Sequence, residues 1–161
     1  MDKRLTALAL LGLVAPLLAA GPEPTLPAPV ALRDSWVRAL PPTQTSTAAY
    51  LTLSNQGENP VKIVAASASV ADRVEIHTTR EVGGLMRMEQ LQELELSPGA
   101  SVELAPGGTH LMLLGLERMP AVGETIRLCV QLEPGGELCT DAPVRKSSAV
   151  EGGHHHHHHK E

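Results

Sequence analysis

Short runs of alternating apolar and polar residues, separated by turn-forming residues, constrain the fold of this chain more than any other feature. The runs are 48–54, 61–66, 73–77, 85–96, 101–104, 109–114, 125–132 and 137–144. Gly, Pro or Asn supplies turn chemistry between them, at 55–57, 83–84, 98–99, 106–108 and 134–136. Within 91–96 the apolar positions break the period of two, so we expect a bulge or a turn of helix there. The pattern predicts an all-β domain of about seven or eight strands, arranged as a Greek-key sandwich or barrel.

Composition excludes several classes of function. The chain has no Phe, and Trp36 and Tyr50 are its only aromatic residues, which argues against stacking sites for bases or sugars. The net charge is −5, and Lys and Arg are scattered, so the sequence offers no basic patch for nucleic acid or an anionic membrane. No nucleophile, base or carboxylate pair is arranged as an enzyme would need. We therefore expect a binding protein that is not an enzyme.

The N-terminal residues predict export. Residues 2–4 carry net positive charge, residues 5–18 are apolar and residues 19–21 are small, which is typical of a cleavable signal peptide. An uncleaved membrane anchor is the alternative, and no Cys follows the apolar run to carry a lipid. We expect a periplasmic protein with four parts: a signal peptide at 1–20, a Pro-rich tether at 21–31, one domain at 32–146 and a tail at 147–161.

Two histidines and two methionines form the candidate site. Outside 154–159, His77 and His110 are the only histidines, and Met88 and Met112 belong to only four methionines after the first residue. Imidazoles and thioethers form a soft, neutral ligand set that suits Cu(I) better than Zn, Mg or Ca. Strand alternation would place His110 and Met112 on one face, about 7 Å apart, within reach of one metal. Each residue alone could be an ordinary core or surface residue, but jointly they predict a Cu(I) site.

The spacing His-x10-Met-x21-His-x-Met resembles the signature of the periplasmic copper(I) chaperone family called PCuAC. The resemblance covers roughly 32–144 and includes the blocks 34–42, 48–55 and 106–116. It implies a cupredoxin-like β-fold and Cu(I) held by His77, Met88, His110 and Met112. It also implies copper delivery toward the binuclear copper site of cytochrome c oxidase, beside Sco-like thioredoxin-fold proteins. Some members carry a further Met directly after the first His, where this chain has Thr78.

The two cysteines, Cys129 and Cys139, lie nearly symmetrically about 134–136 and could face each other across a hairpin. In an oxidising compartment such a pair predicts a structural disulfide. A redox pair or a second copper site stays open, although the spacing lacks the Cys-x-x-Cys of thioredoxin-like chemistry.

Residues 154–159 are six consecutive histidines, either an expression tag or a native metal-binding tail. The sequence leaves both readings open. Imidazoles alone favour Cu(II), Ni(II) or Zn(II) over Cu(I). A native run would therefore be a Cu(II)-binding arm attached to a Cu(I)-binding domain.

Three functions are compatible with these features. A metallochaperone is favoured, because neutral ligands near the surface allow stepwise exchange with a partner. The expected partners are the copper-binding subunit of cytochrome c oxidase and a Sco-like protein, and the chain itself is expected to be a monomer. Copper storage or sequestration shares the site and differs only in partners. An electron-transfer cupredoxin needs a Cys thiolate ligand, and neither cysteine lies in the pattern for one.

Overall fold

Ten β-strands account for the regular structure of residues 29–147, the part of the chain that the computed structural model describes. In chain order they are β1 (Val30–Arg38), β2 (Ser46–Asn55), β3 (Val61–Ala68), β4 (Arg73–Val82), β5 (Leu85–Leu91), β6 (Leu94–Leu96), β7 (Ser101–Leu104), β8 (His110–Leu114), β9 (Thr125–Glu133) and β10 (Gly136–Arg145). The all-β prediction is confirmed. Nothing helical that could cross a membrane occurs within these residues. The predicted signal peptide, most of the tether and the His run lie outside the described residues.

Two differences raise the strand count above the prediction. β1 begins at Val30, inside the segment that the sequence assigned to the tether, because Val30 and Val37 both pack into the core. The run 85–96 divides into β5 and β6 at Gln92 and Glu93, where the chain bends without forming helix. The irregular apolar period in this run marks that break.

Seven of the strands form a closed barrel. Their order is β4-β8-β2-β1-β10-β9-β3, and β3 pairs back to β4 where Ala66 faces Val74. β1 and β10 run parallel, while the neighbouring pairs are antiparallel. The strands β5, β6 and β7 extend the sheet from β4, β3 and β2. Aliphatic side chains fill the interior, among them Leu51, Leu111 and Leu128. The barrel has the cupredoxin-like fold that the family resemblance implies.

The hairpin of β4 and β5 brings distant parts of the sequence together on one face. Gly83 and Gly84 form its turn with φ values of 61° and 80°, a conformation that suits the twist of a hairpin and that residues with a Cβ rarely adopt. β4 also pairs with β8 on its other side. The three adjacent strands β5, β4 and β8 therefore carry every residue of the predicted metal site.

The hairpin of β9 and β10 carries the predicted disulfide, which is present. Cys129 and Cys139 are direct partners in the register, and their sulfur atoms are bonded. Both residues are half-buried.

Candidate metal centre

The register of the three strands places all four predicted ligands on the same face. His77 pairs with His110, and the ring centroids are 6.0 Å apart. Directly opposed residues on neighbouring strands share a face, and so do residues two apart on one strand. Met112 is the partner of Glu75, and Met88 is the partner of Thr79, each two residues from His77 along β4. This is the outer face of the strands, because the alternate residues of β4 and β8 point into the core.

A cavity of about 260 Å³ lies against this face. Its lining includes three of the predicted ligands, Met88, His110 and Met112. His77 is not among the lining residues and lies beside the cavity, next to His110. Most of the rest of the wall comes from β2, including Tyr50, and from the segment before it, and Thr79 and Gly107 complete the lining. Polar and apolar groups both contribute to the lining. Three of the four side chains thus line the pocket, and the fourth lies at its margin.

The imidazole of His110 is held in one tautomer by the backbone. Its Nδ1 lies 3.0 Å from the carbonyl oxygen of Gly108. A carbonyl oxygen can only accept, so Nδ1 carries the proton, and in the neutral ring the lone pair is on Nε2. Because His110 is only 6% exposed, this ring is fixed by packing as well as by the hydrogen bond.

The imidazole of His77 is held in the opposite sense. Its Nε2 lies 2.8 Å from a carboxylate oxygen of Glu75. Since a carboxylate accepts, Nε2 carries the proton and Nδ1 has the lone pair. Nδ1 is buried and has no hydrogen-bond partner among the described residues, the single such case they show for a side-chain nitrogen or oxygen. Buried polar atoms are almost always paired, so this nitrogen is available to a ligand.

Glu75 is ionised under ordinary conditions. Hydrogen bonds from His77 and then from Arg73 hold the pKa of its carboxyl below the usual value of 4.5. Arg73 donates from Nε to the other carboxylate oxygen, at 2.9 Å. Both carboxylate oxygens are therefore engaged, one by each neighbour. Sequence reasoning missed Glu75, although its position two residues before His77 places the two side chains on one face.

The two aromatic residues of the chain lie beside the site, on the same face of the sheet. Trp36 and Tyr50 are paired across β1 and β2, with ring centroids 4.4 Å apart. The Tyr50 ring is 6.3 Å from that of His110, and both aromatic side chains are buried. Arg145 lies over the outer side of the Trp36 ring, at 4.4 Å. A row of rings thus crosses four adjacent strands and ends at the two histidines.

The cysteines offer no second metal site in this state. Cys129, Glu137 and Cys139 could place their ligand atoms within 4.8 Å of one another. The two sulfur atoms are bonded to each other, however, so neither is a thiolate. Metals bind the thiolate form of cysteine, and the alternative of a second copper site at this pair therefore loses its ligands.

A cupredoxin-like barrel with the His-x10-Met-x21-His-x-Met residues on one outer face is a domain of the PCuAC class, as the family resemblance implies. More particularly, the chain belongs to the LpqE-like family, because residues 30–144 match the family described as "Putative lipoprotein LpqE-like". It is 29% identical over 120 residues to "Putative lipoprotein Lxx21020" of Leifsonia xyli subsp. xyli, which covers 74% of this chain and 71% of that protein. Although the family is described as lipoproteins, both cysteines of the present sequence lie in the disulfide.

Two solved structures illustrate the similarity. The solution structure of CuI-DR1885 from Deinococcus radiodurans is 33% identical, with a TM-score of 0.61 over 77% of this chain and 82% of that chain. The copper-bound PCuAC domain from PmoF2 gives a TM-score of 0.63 over 76% of this chain and 97% of that domain. At 22% identity, the latter shows a common fold.

Proposed function

We propose that this chain is a periplasmic Cu(I) chaperone, which binds one Cu(I) ion and delivers it toward the binuclear copper site of cytochrome c oxidase. The ligands in this proposal are His77, Met88, His110 and Met112. Support from relatives comes from the family described as lipoproteins, which favours an extracytoplasmic location, and from DR1885, a relative whose solved structure contains Cu(I).

The observation that carries the proposal is the unpartnered Nδ1 of His77. Burying a polar atom without a hydrogen bond costs free energy, and a bound metal ion would remove that cost. The second imidazole lies 6.0 Å away between ring centroids, and its Nε2 lone pair is likewise unused by the Gly108 hydrogen bond. Two thioethers on the same face complete a set of two nitrogen and two sulfur donors. That set matches the softness of Cu(I) and lacks the charged ligands that divalent ions prefer.

The ligands differ in exposure, which suits transfer to a partner. His110 is 6% exposed and is held by a hydrogen bond to the backbone of Gly108, whereas Met88 is 55% exposed on the outermost strand β5. An approaching protein can reach Met88 before it reaches the histidines. Exchange would therefore begin at Met88 and end at His110, with the ion never leaving a coordinated state.

The electron-transfer alternative is weakened by the disulfide. A blue-copper centre requires a Cys thiolate, and Cys129 and Cys139 are bonded to each other on β9 and β10. Neither cysteine lines the cavity beside His110.

The binding half of the proposal is tested by anaerobic Cu(I) titration of a variant without residues 152–161, in competition with a chromophoric Cu(I) chelator. We expect one Cu(I) per chain and an X-ray absorption spectrum with a mixed nitrogen and sulfur shell. Replacing His110 or Met112 should weaken binding strongly, whereas Met119→Leu should not, because Met119 is buried away from the cavity beside His110. A shell of nitrogen alone would contradict the assignment.

The delivery half needs a separate experiment. The Cu(I)-loaded domain is mixed with the soluble copper-binding domain of the oxidase subunit, and the copper content of each protein is measured after separation. We expect copper to move to the oxidase domain even when a competing Cu(I) chelator is present to capture any ion released into solution. If the chain retains its copper in the presence of this acceptor, sequestration is the better description of its function.

A further inference from the structure

Arg73, Glu75 and His77 form a chain of hydrogen bonds along one face of β4. Arg73 donates from Nε to one oxygen of Glu75 at 2.9 Å, and His77 donates from Nε2 to the other at 2.8 Å. The three residues alternate along the strand, so their side chains project together. The Arg73 side chain is 68% exposed, while those of Glu75 and His77 are 21% and 17% exposed. The carboxylate is therefore anchored from the solvent side and directed at the imidazole.

Two features distinguish Glu75 from a metal ligand. Both of its oxygens already accept hydrogen bonds, and a carboxylate is a hard donor that favours Mg, Ca or Mn over Cu(I). Its contact with His77 is at Nε2, on the far side of the ring from the unpartnered Nδ1. An imidazole that donates one N–H to a carboxylate is fixed in orientation and tautomer, and its other nitrogen becomes a better donor.

We propose that Glu75 is the positioning residue of this site, which fixes the His77 ring so that Nδ1, and not Nε2, binds the metal. The inference rests on the proposed function, since it assigns a role toward the same Cu(I) ion. The two histidines then bind through different nitrogens: His77 through Nδ1 and His110 through Nε2, each with its second nitrogen held by the protein.

The hydrogen-bond acceptors of the two histidines differ: one is a backbone carbonyl and the other is a side chain. The positioning role of Glu75 can therefore be tested by mutation. His110 is fixed by the backbone carbonyl of Gly108, which no side-chain substitution removes. His77 is fixed by a side chain and by nothing else among the hydrogen bonds of the described residues. Glu75 also faces Met112 across β4 and β8. It thereby places one negative charge beside a neutral ligand set and offsets the charge of a monovalent ion.

The positioning role is tested first without copper. In the apo protein, the ring nitrogens and ring N–H protons of both histidines are observed by NMR. We expect a His77 Nε2–H proton protected from exchange with water, which Glu75→Ala abolishes and Glu75→Gln retains at a shifted frequency, because the amide oxygen can still accept. The Nδ1–H proton of His110 serves as the internal reference and should be the same in all variants. A protected Nε2–H that survives in Glu75→Ala, or one that is absent from the wild-type protein, would overturn the role.

Copper affinity gives the second readout. Loss of such an outer partner costs about 10- to 100-fold in metal affinity, so Glu75→Ala should weaken Cu(I) binding by this factor and Glu75→Gln by less. The matched control is Glu89→Gln: Glu89 pairs with Thr78, on the other face of β4, and is ion-paired to Arg80. It should change affinity less than about twofold.

These readouts separate the two claims. Thermal melting of each variant identifies any that has lost its fold, and Glu75→Gln, which is isosteric, remains informative if Glu75→Ala does not fold. Wild-type affinity in Glu75→Ala would overturn the positioning role while leaving the Cu(I) site intact. The opposite result is also possible: the wild-type protein binds no Cu(I), but its protected His77 Nε2–H signal disappears in Glu75→Ala. This result would refute the copper proposal and leave the orientation of His77 by Glu75 standing.

Discussion

Met86 and Met88 are two residues apart on β5, project to the same side of the strand, and are 64% and 55% exposed. They differ in their neighbours. Met88 faces Thr79 and lines the cavity with His110, whereas Met86 faces Glu81 nearer the turn. We therefore expect Met88→Leu to weaken Cu(I) binding at least about tenfold, since it removes a soft donor. Met86→Leu should leave binding within about twofold. Competition with a Cu(I) chelator measures both.

Leucine suits this comparison because it keeps the volume and apolar character of methionine. Any effect of changing an exposed apolar side chain on β5 is then common to both variants. Equal losses in the two variants would mean that the pair acts through the surface of the hairpin, and Met88 would no longer be a ligand.

At the residue scale, part of the shared face of the candidate ligands could be predicted from the sequence, and the orientation of the histidine rings could not. His110 and Met112 share a face on any strand, so alternation alone predicts their pairing. The neighbour relation of His77 and His110 depends on the register of β4 against β8, which is set by packing between strands far apart in sequence. The tautomers of the rings depend in turn on Gly108 and Glu75. A sequence shows that an acidic residue lies two positions before a histidine, but not that its carboxylate reaches the ring.

At the scale of elements, the hairpin of β9 and β10 contributes no residue to the cavity beside His110. The disulfide of Cys129 and Cys139 joins residues ten apart in sequence. Cross-linking a loop of this length stabilises a fold by about 2–3 kcal/mol, mainly through the unfolded chain. The double variant Cys129→Ser, Cys139→Ser should lose about that much free energy of unfolding in urea and keep its Cu(I) affinity. Loss of Cu(I) binding in a variant that is still folded would indicate a ligand or redox role for the pair.

The connection between β8 and β9 has a carboxylate that makes stability depend on pH. Glu124 accepts hydrogen bonds from both terminal nitrogens of Arg118, at 2.8 and 3.0 Å, and from the backbone of Ala121 at 3.1 Å. The bonds from Arg118 contribute most to holding the pKa of Glu124 below its ordinary value of 4.5, followed by the bond from Ala121. A lowered folded-state pKa stabilises the protein above the unfolded pKa, and this stabilisation is lost as pH falls through the folded pKa.

The wild-type protein should therefore be more stable than Glu124→Gln at pH 7, and the two should converge as pH falls below about 4. Urea unfolding at a series of pH values measures this difference. Glu117→Gln is the control, since Glu117 is exposed on the same connection and has no ion pair among the described residues. If the difference in free energy of unfolding between wild type and Glu124→Gln stays constant with pH, the charge of the Glu124 carboxylate does not contribute to stability.

The strands themselves were largely predictable because one face of each is buried. The alternation in 125–132 and 137–144 matches β9 and β10 closely, and the turn between them follows from Pro134 and Gly135. β1 was missed as a strand since its pattern is interrupted: Arg33 and Asp34 are both exposed, and the register shifts between Arg33 and Trp36. An irregularity of that kind hides a strand from any reading that relies on a period of two.

At the scale of the whole molecule, the site depends on closure of the barrel. The candidate ligands lie on β4, β5 and β8, part of the cavity wall comes from β2, and the row of rings continues to Trp36 on β1. The closing contact between β3 and β4 is a single register pair, Ala66 and Val74. Strand order of this kind was not predictable from local patterns, because it is decided by which apolar faces can pack together. The resemblance to a known family predicted a cupredoxin-like fold, whereas the periodicity alone left a sandwich and a barrel open, and neither predicted the strand order.

The His run at 154–159 lies outside the described residues and leads to the last prediction. It offers only imidazole, a borderline donor that suits divalent ions, whereas the barrel offers thioethers, which Cu(II) tolerates poorly. Deleting 152–161 should therefore remove most Cu(II) binding and leave Cu(I) affinity and transfer nearly unchanged, whether the run is native or a tag. Imidazole binds metal only when deprotonated, so Cu(II) binding by the run should also decline below about pH 6. Calorimetric titration of the full and shortened chains with each ion measures both effects. Equal Cu(II) binding by the two forms, or a loss of Cu(I) affinity on deletion, would show that the run and the barrel do not act as separate sites.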